Sequence, residues 1–465
     1  MEPARLDSCP RTVADAAVPV ATPTSHTCRV AGLDGIRGIA SLFVVINHIF
    51  LRAWPGYPVD HAPFWAAEFI YGRFAVVVFI VVSGFSLGLA PARSGWRFDS
   101  VAAFARRRAW RILPPYWAAL GFSLLMTWYV LAQPGWAKPD GKSVLVYGLL
   151  VQDAVPAGSP NRAFWSIAIE AQLYVLLPLL LLVIRRASAI AMVATVSVVV
   201  VAIGLLGPHL ALMNDALIKF TPDLALLFAI GVLASGIVTA DERIRSRPWA
   251  RYALAASSPV VALIIVNGTV WTNDHLFWVD LAWGPAIACL LAAVATSRPQ
   301  PVVRLLNTRP LRSLGSCSYS LYLTHAPIVI AVSYGLVLGR VAPGTPTFLV
   351  LIAILVPTTI CFARLFAVAC ERPFQRYRGW TPLRRAIRHG VRDHAASIGR
   401  ACRRPVTSTN LRARSLPTLL GDHGKLAYSS AAEPDTPQLM GSDQLGQRLR
   451  PDLASDVGRI SAQCL

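Results

Sequence analysis

The sequence predicts an all-α fold: a polytopic membrane bundle of about ten transmembrane helices. Three observations lead there. Of 465 residues, 55% are hydrophobic and only 15% are charged, where an ordinary soluble domain carries about 25% charge. The mean hydropathy is +0.51. Apolar stretches of spanning length, about 17–25 residues each, recur along the first 370 positions. A single soluble core stops growing at about 250–300 residues, and a disordered chain is far less apolar than this one.

The predicted spans lie at 36–52, 74–90, 112–132, 164–184, 189–207, 223–239, 252–267, 279–296, 314–338 and 347–370. Residues 143–156 are apolar but short, and Asp153 and Pro156 close them, so they read as an interfacial or re-entrant piece. The formal net charge is +20. Such basicity often marks nucleic-acid binding, but its placement points elsewhere. The arm to Arg37 and the connections 91–111, 185–186, 240–251 and 297–313 hold 20 Lys and Arg. The alternate connections 52–73, 133–163, 208–222, 268–278 and 339–346 hold 7. Short basic loops stay in the cytoplasm. The sequence therefore predicts a multi-pass protein of the cell (inner or plasma) membrane with both termini cytoplasmic, a lipid bilayer around it and no nucleic-acid partner. An eleventh span at 143–156 would invert the alternation halfway.

Three regions result. Residues 1–31 are polar, carry Pro3, Pro10, Pro19 and Pro23, and show no signal-peptide apolar region; they read as a disordered cytoplasmic arm. Residues 32–374 form the membrane domain. Residues 375–465 are basic and rich in Arg, Ser, Pro and Gly, a mostly disordered cytoplasmic tail with a short basic helix at 382–400. Cysteines at 9, 28, 289, 317, 361, 370, 402 and 464 make neither a CxxC pair nor a metal spacing with histidine. No metal site is expected, and the thiols read as small apolar filler.

Ionisable groups inside a span are costly and mark function. Span one carries Arg37 and His48. Eleven residues apart, they share one helix face with a rise of about 16 Å between them. A cation thus stands at the mouth and an imidazole deep inside. Span two holds Gly84 and Gly88, spaced for close helix packing. Ahead of span three, Arg106, Arg107, Arg108 and Arg111 precede Pro114 and Pro115, which would start or kink the helix. Arg106 and Arg107 read as membrane anchors. Arg108 and Arg111 are i, i+3 neighbours suited to a phosphate-rich ligand. Span four places Glu170 one turn from Ser166 and from Tyr174, with Trp165 at the interface. Glu170 and His48 lie at similar depth, so a hydrogen bond between them is expected to orient the imidazole. Span nine bears Ser318, Tyr322 and His325 on a polar stripe that lines a cavity or joins helices.

These segments together resemble the integral-membrane acyltransferase 3 family. Leu33-Asp34-Gly35-Ile36-Arg37-Gly38-Ile39-Ala40 with His48 resembles its opening motif. Ser83-Gly84-Phe85 is similar to its SGF segment, and Arg108-Ala109-Trp110-Arg111 to its RxxR motif. Trp165-Ser166-Ile167 with Glu170 is similar to W-S-[LI]-x-x-E. Ser318-Tyr319-Ser320-Leu321-Tyr322-Leu323-Thr324-His325 resembles S-Y-S-L-Y-L-x-H, and Glu371-Arg372-Pro373-Phe374 resembles E-[RK]-P-F. The motifs run in order over residues 32–374. Ala171 stands where the family often has a second Glu, and Thr324 where Trp commonly precedes the histidine.

The resemblance implies a membrane O-acyltransferase. It would move an acyl group, commonly acetyl, from cytoplasmic acyl-CoA (acetyl-CoA) as co-substrate to a hydroxyl of a carbohydrate or glycosylated product. No bound cofactor is implied. His48 and Glu170 are the expected catalytic pair. Arg37, Arg108 and Arg111 would take the CoA phosphates, with the pantetheine arm along the Arg37–His48 stripe. Ser83, Trp165, Tyr322 and His325 would surround the substrates. The competing reading of buried His, Glu and Arg is a proton-coupled transporter; no inverted repeat and no pair of Gly/Pro-broken helices supports it.

Overall fold

The computed structural model of the protein describes residues 30–98, 100–131, 138–210, 220–377, 379–381 and 384–385. The predicted arm 1–31, the tail 375–465 and its helix at 382–400 lie almost wholly outside these residues, as do Cys9, Cys28, Cys402 and Cys464. Among the described residues the chain is helical, with no strand beyond an isolated bridge between Leu338 and Val341.

The helices are α1 (Leu33–Ala53), α2 (Gly72–Arg93), α3 (Val101–Leu125), a short α4 (Gly141–Gly148), α5 (Trp165–Arg186), α6 (Ala189–Leu206) and α7 (Asp223–Ser235). They continue as α8 (Trp249–Asp274), α9 (Leu276–Ala295), α10 (Gln300–Leu306), α11 (Arg309–Gly315), α12 (Ser318–Val332), α13 (Thr345–Phe366) and α14 (Arg372–Arg376). With their flanking turns, eight are long and apolar enough to cross a membrane. α3 and α7 occupy the other two predicted spans. α3 is loaded with arginine over its first turns, and α7 with its following turn covers only Asp223–Val238. The protein is a multi-pass, all-α membrane bundle. The stretch 143–156 forms the end of α4 and turns, too short to span.

Local chemistry explains several boundaries. Ser100 caps α3 by accepting from Ala103 N, and Ser188 caps α6 by accepting from Ala191 N. Asp140 and Ser143 form a capping box on α4. In α8, Gly268 leaves the helical region at φ 75° and kinks the helix, which runs on to Asp274, beyond the predicted end of the span at 267. Two expectations are corrected. Arg106 to Arg111 do not form a loop before span three, because α3 starts at Val101 and runs through Pro114 and Pro115. Neighbouring helices let a bundle tolerate such prolines, and α12 packs against this segment, where Tyr319 donates to the Ile112 carbonyl at 3.2 Å. Span nine begins at Ser318, because Leu314 and Gly315 belong to α11.

Missing side chains set the closest contacts. A Cβ on Gly84 would strike the Phe228 carbonyl oxygen, and one on Gly231 would strike that of Val81. The α2 and α7 backbones therefore touch, the packing small residues permit in membranes. Gly35 and Gly38 let α1 lie directly on the backbone of Leu306 and Gly315, which brings α10 and α11 under its first turn. At the far end of α1, the Ala53 carbonyl accepts from Gly344 N at 3.2 Å, so the start of α13 meets the end of α1. Phe85, Tyr116, Phe164 and Phe228 fill the centre. α6 and α8 line the outside and leave Ile190, Val198, Ile265 and Val266 at least 70% exposed. Lipid is a good solvent for that surface and water is a poor one.

Candidate active site

The helices enclose a cavity of about 950 Å³, at the upper end of ligand sites, about 300–1,000 Å³. Its mouth lies at the end of the bundle where α1 begins and α2 ends. Arg37, Arg93, Arg108, Arg111 and Arg372 line it, against three acids, Asp34, Glu170 and Glu371. Arg37 donates to Ser86 Oγ at 2.7 Å and lies 3.7 Å from Asp34. The fields acting on Arg37 come from Arg111, Asp34 and Glu170, and those on Arg108 from Arg111, Glu170 and Arg37. One tight group of guanidiniums thus shares the carboxylate of Glu170, and Arg37 has Asp34 beside it as well.

From the mouth, the lining follows α2. Ala90, Leu87, Ser86, Ser83, Ile80, Phe79 and Val76 form a helical stripe that carries the cavity inward. Along α1 the lining stops at Arg37. The expected track from Arg37 to His48 is therefore corrected: α12 packs over that face of α1, and the groove runs beside α2.

Of the nine site residues named from the sequence, Arg37, Ser83, Arg108, Arg111, Glu170 and Tyr322 line the cavity, whereas His48, Trp165 and His325 do not. The expected Glu170–His48 hydrogen bond is absent. Glu170 Oε1 instead accepts from Ser83 Oγ at 2.9 Å and from Tyr174 OH at 2.5 Å. Similar depth did not bring the two together because α12 stands between them. Its Tyr322 meets α5 through Ser166 Oγ at 2.6 Å. Its His325, nearly one turn on, meets α1 through His48, ring centroids 4.9 Å apart at 67°.

His325 is fully buried. Its Nδ1 lies 2.9 Å from the Tyr322 carbonyl and 3.1 Å from the Leu321 carbonyl. Those oxygens only accept, so Nδ1 carries the proton and Nε2 is a bare acceptor. Nε2 has no hydrogen-bond partner in its buried setting, an unusual state for a polar atom. His48, Tyr322 and Phe79 surround this ring system, with Tyr322 5.8 Å from His325 and Phe79 5.8 Å from Tyr322.

Trp165 has a different neighbour. Arg73 lies over its ring at 5.4 Å. Arg73 Nε donates to Asp280 Oδ2 at 2.6 Å, and Nη2 to Asp223 Oδ2 at 3.3 Å. This buried cluster ties α2 to α7 and α9. Sequence reasoning missed it because Arg73, Asp223 and Asp280 sit near predicted span ends, where a lone charge reads as an interface anchor. Glu371 was also missed as a site residue, although its motif was seen. Its carboxylate accepts from Ser320 Oγ at 2.5 Å and Gln375 Nε2 at 2.6 Å, and it lines the cavity beside Arg372.

The fold defines a multi-pass membrane protein with an internal, arginine-lined cavity. The chain belongs to the acyltransferase 3 family, whose profile, described as an acyltransferase domain, matches residues 30–366. It is 26% identical over 335 residues to YrhL of Bacillus subtilis, a peptidoglycan O-acetyltransferase by provisional name, covering 66% of this chain and 50% of that protein. It is 24% identical to the O-acetyltransferase OatA of Staphylococcus aureus over 368 residues, 74% of this chain and 57% of that one. A third relative, the O-acetyltransferase PaAT-1 of Phomopsis amygdali, is 34% identical over 129 residues, 23% of this chain and 25% of that one. The chain spans about half the length of the first two relatives. No solved structure matches.

Proposed function

We propose that the protein is a membrane O-acetyltransferase that takes acetyl-CoA from the cytoplasm and acetylates a glycan hydroxyl at the opposite face. One observation carries this reading: an arginine-rich cavity enters from the basic end and runs inward to Tyr322, beside the His325–His48 pair. The basic end is cytoplasmic by the loop-charge argument. Arg37, Arg108 and Arg111 bind the CoA phosphates as charge-assisted, forked donors. The α2 stripe takes the pantetheine arm. The name of one relative, YrhL, points to peptidoglycan as the glycan.

His48 is the general base. Its imidazole removes the proton from the acceptor hydroxyl as the oxygen attacks the thioester carbonyl. The tetrahedral intermediate collapses, the C–S bond breaks, and the leaving thiolate takes the proton back from the imidazolium. His325 replaces Glu170 as the orienting group: its unpartnered Nε2 is the acceptor onto which a small rotation of the His48 ring, 4.9 Å away, would bring the His48 N–H, leaving the other nitrogen of His48 for the hydroxyl. Glu170 holds Ser83 and Tyr174 in place and offsets part of the arginine charge. For the thioester to pass from the cavity to His48, the Tyr322–Ser166 hydrogen bond must part.

The test uses membranes containing the full chain, acetyl-CoA labelled in the acetyl group, and glycan strands stripped of peptide. Label should enter the strands with release of free CoA thiol. His48→Ala should lower the rate by about 100-fold or more. Wild-type turnover in that variant would sink the assignment of the base. Substrate movement without thioester cleavage would favour the transporter instead.

A further inference from the structure

His48 has a second set of neighbours, on the side away from the cavity. Arg52 follows it by four residues on α1, so the two share a face about 6 Å apart in rise. On that face His48 meets His325 inside the bundle, and Arg52 Nη1 lies 3.5 Å from the Tyr334 hydroxyl, in the turn after α12, an exposed contact. Arg52 is half-buried, unlike an anchor that reaches outward to lipid. Arg162, whose side chain is exposed, lies in the turn before α5. Its neighbour Asn161 is buried and donates to the Leu323 carbonyl at 3.0 Å, which pins this turn two residues from His325. The charges acting on His48 are those of His325, Arg52 and Arg162, and the two arginines also act on each other.

Among the described residues no carboxylate answers them: neither Arg52 nor Arg162 forms an ion pair. The contrast within the same bundle is sharp. Arg73, at the same end, meets two carboxylates, and Arg37, at the other end, has Asp34 beside it. Two guanidiniums that repel each other beside a catalytic imidazole lower their energy when an anion sits between them.

We propose that Arg52 and Arg162 form an anion-binding subsite for the acceptor, so that the glycan accepted at His48 carries a carboxylate close to the hydroxyl that is acetylated. The inference rests on the assignment of His48 as the base. It adds a rule of acceptor choice: charge on the sugar, read at the face opposite the CoA phosphates. Anion binding by each arginine pair then holds donor and acceptor at the two ends of one reaction track.

The experiment uses the full chain in membranes, acetyl-CoA, and two forms of one acceptor. The first is peptide-free glycan strands with free carboxylates; the second is the same strands after amidation of those carboxylates. The subsite predicts at least about a tenfold preference in kcat/KM for the free acid, the effect of one or two charge-assisted hydrogen bonds. The preference should fall toward one in Arg52→Gln and Arg162→Gln, mainly through the KM of the acceptor, and survive in Arg52→Lys. Raising the salt should weaken it in the wild type, which keeps the test usable where a variant fails to fold. Equal use of the two forms, or a preference unchanged in both Gln variants, overturns the subsite and leaves the enzyme assignment standing. An Arg52→Gln protein that loses yield but keeps the preference marks a lipid-phosphate anchor, which also overturns it. If His48→Ala retains transfer, or the wild type transfers to neither form, the underlying reading fails.

Discussion

At the scale of single residues, His325 bears the clearest imprint of function inside the bundle. A fully buried imidazole with one nitrogen satisfied and one bare loses the solvation of that atom with nothing in return. The relay to His48 proposed above would account for the arrangement, and a substitution distinguishes it from simple packing. His325→Gln places an acceptor oxygen near the site of Nε2 and should keep a substantial share of kcat; His325→Ala should lose it and alter the pH–rate profile, while the KM for acetyl-CoA moves little. Arg111→Ala should raise that KM by about tenfold, the loss of a charge-assisted hydrogen bond. An unchanged KM would remove Arg111 from the phosphate site. Outside the spans, burial pushes the Asp153 carboxyl up to about 6, against the opposing hydrogen bond from Gln172 Nε2 at 3.2 Å. Its proton is held more tightly in the folded state, so the stability it confers is complete below pH 4 and is lost as pH rises through 6. Asp153→Asn should therefore stabilise the protein at pH 7 by about 1 kcal/mol, after allowance for partial exposure. It should have no such effect at pH 4, and melting in detergent at the two pH values reads the difference.

At the scale of elements, the α2–α7 contact is the hinge of the design. α2 carries the cavity floor on one face and Gly84 on the other, pressed against the Phe228 carbonyl. Any shift of α2 needed to seat a side chain at position 84 also moves Ser83, and with it the anchor of Glu170. Gly84→Ala should cost about 1–3 kcal/mol through overpacking and lower activity beyond what the loss of folded protein explains; thermal melting and activity per folded molecule separate the two. The Arg73–Asp223–Asp280 cluster locks the same pair of helices to α9 at the far end. Removing the cation leaves two buried carboxylates without it, and Arg73→Met should destabilise by about 3–5 kcal/mol. The GxxxG spacing of Gly84 and Gly88 was legible in the sequence, because small residues four apart share a helix face. Their partner was not: nothing along the chain tells which of the other helices brings its own glycine, here Gly231, to that face.

At the scale of the whole molecule, the charge count is also a prediction about sidedness. A cysteine placed at Val59, which is 74% exposed in the connection after α1, should react with a membrane-impermeant maleimide in intact cells. One placed at exposed Arg245, in the connection before α8, should react only after the cells are opened. The reverse pattern would turn the protein over and put the arginine-lined mouth outside, away from cytoplasmic CoA. Eight of the ten predicted spans, the short stretch at 143–156, and three of the five arginines lining the cavity (Arg37, Arg108 and Arg111) were readable beforehand. Each follows from local chemistry: apolar length sets a span, and Arg37, Arg108 and Arg111 are conspicuous because charge beside a membrane helix is costly.

Depth along a helix and the face a residue occupies come from the backbone repeat, so the height of His48 and Glu170 and the face shared by Arg37 and His48 follow from the chain alone. Which helices stand side by side depends on packing between distant segments and emerges only in the folded bundle. That packing inserted α12 between α1 and α5, gave Glu170 to Ser83 and Tyr174, and gave His48 to His325. The physical reason is that a helix repeat propagates along one segment, whereas a lateral neighbour is chosen by surfaces hundreds of residues apart, where a glycine such as Gly38 or Gly231 admits one backbone and excludes others.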